Sequence, residues 1–118
     1  MPQGGLEGGE KPQAGAFREL EEETGTRNAM VLAEHPDWLR YEIPKKWRPK
    51  GWENRYCGQE QKWFLLRFDG SDDELTVETD EPEFRQWKWA TVEDVLERAI
   101  EFKRELYPAV FAAFRDWL

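Results

Sequence analysis

Three glutamates, Glu19, Glu22 and Glu23, crowd into one short stretch directly after Arg18. If that stretch is helical, each residue advances by roughly 100°. Phe17, Leu20 and Thr24 then fall on one side, and the three carboxylates fall together on the opposite side. Carboxylates this close repel one another unless a cation sits among them. Magnesium prefers oxygen ligands and keeps several waters, so such a face suits a magnesium platform. Arg18 precedes Glu22 by four residues, the spacing at which it can pair with that carboxylate and hold it. A solvated face of an acidic helix would show the same local pattern, so the wider spacing has to decide.

The flanking residues position this stretch. Residues 1–11 read MPQGGLEGGEK, and four glycines there mark a loop. Pro12 suits a first helical residue, Pro12 to Glu23 is rich in helix-tolerant Ala, Glu, Leu and Arg, and Gly25 sits where a C-terminal cap belongs. Extended segments are expected at Ala29–Ala33, Trp38–Ile43, Gln61–Phe68, Leu75–Thr79 and Gln86–Ala90. Thr91 is an N-cap, with Glu93 and Asp94 in the first turn. A last helix is expected over Arg104 to Leu118, with Leu106, Val110, Phe114 and Trp117 at helical spacing. Trp63, Phe64, Trp87 and Trp89 read as core aromatics, and His35 as a turn residue beside Pro36. Strands with helices on either side predict a layered α and β domain.

Composition narrows the rest. The chain has 118 residues, room for one domain, and a formal net charge of -8. So acidic a chain is not a bulk nucleic-acid binder, and action on RNA or nucleotides requires a local site. A basic loop from Lys45 to Arg55 holds five of the seventeen Lys and Arg and offers local attraction, with Trp47 and Trp52 as stacking candidates. The single cysteine, Cys57, excludes a disulfide framework and fits a reducing, cytoplasmic setting. No stretch approaches the ~18 apolar residues of a membrane helix, and no signal peptide is visible.

The wider spacing is Gly4, five residues, Glu10, seven residues, Arg18-Glu19-Leu20, one residue, Glu22-Glu23, one residue, Gly25. It resembles the Nudix box, with Thr26 standing where a bulky aliphatic is usual. Pro2-Gln3-Gly4-Gly5, Trp38 to Tyr41, Gly58 to Phe64, Pro82-Glu83-Phe84, Trp87-Lys88-Trp89 and Phe102-Lys103-Arg104 look, in order, like the bacterial RNA pyrophosphohydrolase and dinucleoside polyphosphate hydrolase branch of that family. The resemblance implies the α+β Nudix fold, an α/β/α sandwich around a mixed sheet. It implies hydrolysis of phosphoanhydrides with magnesium, or with manganese or another divalent cation in its place. By position, Glu19, Glu22 and Glu23 look like metal ligands, joined by the Gly4 carbonyl. Glu83 matches a glutamate that ligates metal or acts as general base, and Arg18 belongs to the catalytic set. Lys103, Phe102, Tyr41 and Gln59 match substrate-binding positions, for the 5′-terminal nucleotide and its phosphates.

Family members carry roughly forty residues before the Pro-Gln-Gly-Gly motif, including a central strand, and this sequence starts at that motif. The expectation is an N-terminally truncated domain with exposed strand edges. The family implies a monomer, and exposed edges would favour a dimer. Three readings follow: removal of pyrophosphate from triphosphorylated RNA 5′ ends, hydrolysis of dinucleoside polyphosphates such as diadenosine tetraphosphate, or an inactive fragment that only binds nucleotide or a partner. None involves DNA or a membrane.

Overall fold

The computed structural model describes residues 2–48, 58–78, 86–99 and 103–118. Lys50, Trp52, Arg55, Glu83 and Phe102, all singled out above, lie outside the described residues. The elements run in the order α1 (Pro12–Thr24), β1 (Ala29–Glu34), β2 (Leu39–Glu42), β3 (Gly58–Gln61), β4 (Phe64–Phe68), α2 (Val92–Arg98) and α3 (Leu106–Ala113). Short 3-10 turns lie at Lys45–Trp47, Asp72–Glu74 and Arg115–Trp117. The α+β class therefore stands. Among the described residues the strands form two two-stranded sheets, β1 with β4 and β2 with β3. β2 and β3 are antiparallel, with Leu39 opposite Gln61 and Tyr41 opposite Gln59. Backbone bonds from Asp69 to Asn28 and from His35 to Trp63 bracket the other pair and give it the same sense. No described helix is long and apolar enough to cross a membrane.

Contacts divide the chain into two units, Met1–Leu32 with Leu66–Trp89, and Ala33–Leu65 with Ala90–Leu118. The first is built on α1. Pro12 opens that helix, and Gly25 closes it in the left-handed region at φ 79°, its N–H reaching the Glu21 carbonyl at 2.8 Å. Glycine takes this conformation without steric cost. A Cβ on Gly25 would also meet Thr76 Cγ2 at 2.7 Å. The Gly-rich segment before the helix is tied down by Arg18, which donates to both oxygens of Glu10 at 2.8 and 2.9 Å and to the Gly5 carbonyl at 2.7 Å.

The second unit packs α3 on β2. Tyr41, Ile43 and Leu106 are buried, with Leu39, Trp63 and Tyr107 packed around them. Leu106, Val110 and Phe114 are buried at the expected spacing. Trp117 breaks the pattern and is 55% exposed. The α-helix ends at Ala113, and the 3-10 turn that follows has about 3.0 residues per turn, which rotates Trp117 off the apolar stripe. Thr91 caps α2 as expected, accepting from the Asp94 N–H at 3.2 Å. His35 is a turn residue, its Nδ1 taking the Asp37 N–H at 3.1 Å.

Two expected strands are not formed among the described residues. Over Leu75–Glu78 the backbone donors go elsewhere: Leu75 N–H to the Asp72 carbonyl, Thr76 N–H to the Thr24 carbonyl, Glu78 N–H to Thr76 Oγ1. Gln86–Ala90 has no ladder partner. Its tryptophans are consequently not core, with Trp87 40% and Trp89 61% exposed. Trp89 instead donates to Asp72 Oδ1 at 2.9 Å and packs on Phe68.

Two outcomes are expected. Gly25→Ala forces a Cβ into the left-handed cap and onto Thr76, costing about 1–2 kcal/mol in a denaturant titration. Glu10 is held down at about 2 from an ordinary 4.5, chiefly by the Arg18 hydrogen bond and then by the Glu7 backbone N–H. A carboxylate so depressed adds stability that is complete above its unfolded value and is lost as pH falls through the folded one. Thermal melts followed downward from about pH 4.5 towards about pH 2 should therefore lose this contribution, and Glu10→Gln should flatten that part of the profile.

Candidate active site

Arg18 is the organising cation of α1. Its guanidinium presents five N–H donors in a rigid fork. Besides Glu10 and the Gly5 carbonyl, Nη1 donates to Glu19 Oε1 at 2.7 Å and to Glu22 Oε2 at 3.2 Å. The Arg18–Glu22 pair is the expected i,i+4 contact. The Glu10 hydrogen bond is the main cause that pushes the Arg18 pKa up, with Glu19 and Glu22 adding to it.

The three helix glutamates differ in exposure, which a helical wheel does not show. Glu22 is exposed, Glu19 is half-buried and Glu23 is 5% exposed. Burial of Glu23 follows from the segment laid over it, where the Gln3 N–H donates to Oε2 at 3.0 Å. One residue on, Gly4 lies against Glu19 so closely that a Cβ at position 4 would overlap the Glu19 carboxyl. The glycine therefore lets the backbone approach the carboxyl where it stands, whereas a Cβ there would push that side-chain end aside. Gln3 and Gly4 thus bring the start of the chain onto two of the three carboxylates.

The donor chemistry suits a hard divalent cation, since carboxylate and carbonyl oxygens are what such ions prefer. The Gly4 cradle beside Glu19 fits that use. As the side chains stand, Arg18 occupies the space between Glu10, Glu19 and Glu22, and among the described residues no three acidic, histidine or cysteine side chains gather at metal-holding range.

Tyr41, Gln59 and Lys103 come together in the second unit. The Tyr41 hydroxyl donates to Gln59 Oε1 at 2.8 Å across the β2–β3 ladder. Lys103 Nζ sits 5.5 Å from the centre of the Tyr41 ring, a cation–π distance. Burial pushes the Tyr41 hydroxyl up, with Tyr107 adding to it, and burial pulls the Lys103 ammonium down. Sequence reasoning missed the Gln3 contact, the Gly5 carbonyl and the bidentate hold on Glu10. The spacing of Glu10 and Arg18 within the box pattern is the available signal for the last of these.

The NUDIX domain family model matches residues 1–110. An RNA pyrophosphohydrolase of Roseobacter denitrificans is 53% identical over 120 residues, covering all of this chain and 75% of that protein. One of Dinoroseobacter shibae is 48% identical with the same coverage. The chloroplastic Nudix hydrolase 26 of Arabidopsis thaliana is 44% identical over 124 residues, covering all of this chain and 57% of that protein. With a domain match over most of its length and a box whose carboxylates are all present, this chain belongs to the Nudix family.

Proposed function

We propose that this chain is an RNA pyrophosphohydrolase that removes pyrophosphate from triphosphorylated RNA 5′ ends with magnesium. The observation that carries this reading is the docking of Gln3 and Gly4 onto Glu23 and Glu19, supported by relatives that bear that name. Glu19, Glu22, Glu23 and the Gly4 carbonyl would hold the cation, and Glu83 would join them or act as base. When bound, a divalent cation neutralises phosphate charge and lowers the pKa of a bound water.

The chain's own residues do the rest. Arg18 holds Glu19 and Glu22 in fixed orientation through charge-assisted hydrogen bonds. Glu23, buried under Gln3, stays close to the backbone of the box loop. A box carboxylate or Glu83 takes the proton of the attacking water. Water oxygen bonds to phosphorus, the anhydride P–O bond breaks, and pyrophosphate leaves with the electron pair. Lys103, Tyr41, Gln59 and Phe102 bind the 5′-terminal nucleotide and its phosphates. Such local contacts are what a chain of net charge -8 needs to hold RNA.

Pyrophosphate release from triphosphorylated RNA should depend on magnesium and should fall by about 100-fold or more in Glu23→Gln, as for a group acting in the transition state. A higher kcat/KM on diadenosine tetraphosphate than on RNA would move the reading to dinucleoside polyphosphates. Arg18→Lys keeps the charge but loses the fork. It should weaken metal affinity by about 10–100-fold, read both from the magnesium activation curve and from manganese binding in the absence of substrate.

A further inference from the structure

Four side chains of the second unit are joined by three hydrogen bonds of fixed polarity. Trp63 Nε1 donates to Gln61 Oε1 at 3.0 Å. Gln61 Nε2 donates to Gln59 Oε1 at 3.3 Å. The same Gln59 oxygen accepts from the Tyr41 hydroxyl at 2.8 Å. Gln59 and Gln61 are two apart on β3 and so share a face.

The direction of this ladder follows from chemistry. An amide has interchangeable-looking ends, but an indole N–H can only donate. Trp63 therefore requires the oxygen of Gln61 on its side, which leaves the Gln61 NH2 facing Gln59. That NH2 in turn requires the Gln59 oxygen. With both lone pairs of Gln59 Oε1 taken, by Gln61 and by Tyr41, the Gln59 NH2 turns outward. It donates to no partner among the described residues, and Gln59 is exposed.

We propose that Gln61 and Trp63 are positioning residues that lock the Gln59 amide with its NH2 outward, so that this strand recognises a hydrogen-bond acceptor on the substrate and rejects a donor. The acceptor class favoured is an anionic phosphate oxygen, because Lys103 lies over the Tyr41 ring that shares the Gln59 oxygen. This rests on the reading of Gln59 as a substrate contact. Trp63 is half-buried and makes an edge contact with Tyr107, with ring centres 6.1 Å apart. Trp63→Phe keeps an aromatic ring there and deletes the donor along with part of the indole, a loss of packing that the Gln59→Leu background separates from the ladder.

The test combines kinetics with side-chain nuclear magnetic resonance of the full chain. Trp63→Phe and Gln61→Glu should each raise KM for triphosphorylated RNA by about 3- to 10-fold, the worth of one hydrogen bond, with kcat retained. Gln59→Leu should raise KM similarly, and Trp63→Phe should add nothing in that background. The Gln59 side-chain amide resonances should shift in Trp63→Phe, because the hydrogen bonds link the two residues through Gln61. Equal effects of Trp63→Phe with and without Gln59 would make it a packing effect and overturn the proposal. Unmoved Gln59 resonances would overturn it whatever the kinetics. If the wild-type chain releases no pyrophosphate, or Gln59→Leu leaves KM unchanged, the reading of the substrate contact fails, and the resonance shift alone then decides the ladder.

Discussion

One guanidinium ties the first unit together. Arg18 spends its fork on Glu10 twice, on Glu19, on Glu22 and on the Gly5 carbonyl. The three carboxylates would repel one another in its absence. With Arg18 in place, the same crowding becomes a means of drawing the Gly-rich segment onto α1. The position of Gln3 and Gly4 over Glu23 and Glu19 depends on that draw. Because the group is half-exposed, its worth lies in geometry more than in raw Coulomb energy.

The second unit solves a different problem. It places polar side chains on a partly buried sheet face and satisfies them in series, from Trp63 through Gln61 and Gln59 to Tyr41. Tyr41 contributes to the core with its ring and to the ladder with its hydroxyl. Aromatic residues with one polar atom suit such a boundary. On the proposed function, the net acidity of the chain would make these few oriented donors, together with Lys103, matter for holding a phosphorylated ligand.

What was legible in the sequence was what neighbours along the chain decide. Pro12 and Gly25 bound α1 to within a residue because a missing N–H and a left-handed cap act locally. Thr91 announced α2 for the same reason. The box spacing marked the carboxylates before any geometry. Strands at Leu75–Thr79 and Gln86–Ala90 were misjudged because alternation describes a candidate strand, whereas a ladder partner makes one, and Thr76 spends its N–H on the end of α1. The helical wheel puts Glu23 on the carboxylate face but cannot show its burial, because it knows nothing of Gln3, twenty residues earlier. Trp117 was placed on a stripe that a change of helical pitch had ended. The amide ladder left no trace beyond a Gln-x-Gln-x-Trp alternation that many sequences share.

The contact between Gly4 and Glu19 has a consequence for how this chain can change over generations. A side chain at position 4 would meet the Glu19 carboxyl, which would have to swing aside to admit it. Residues in such contact do not contribute independently. A step away from glycine asks the carboxylate to draw back, and a shorter acid at position 19 would leave more room for it. The two sites are therefore coupled, and what position 4 tolerates depends on where the side chain at position 19 lies.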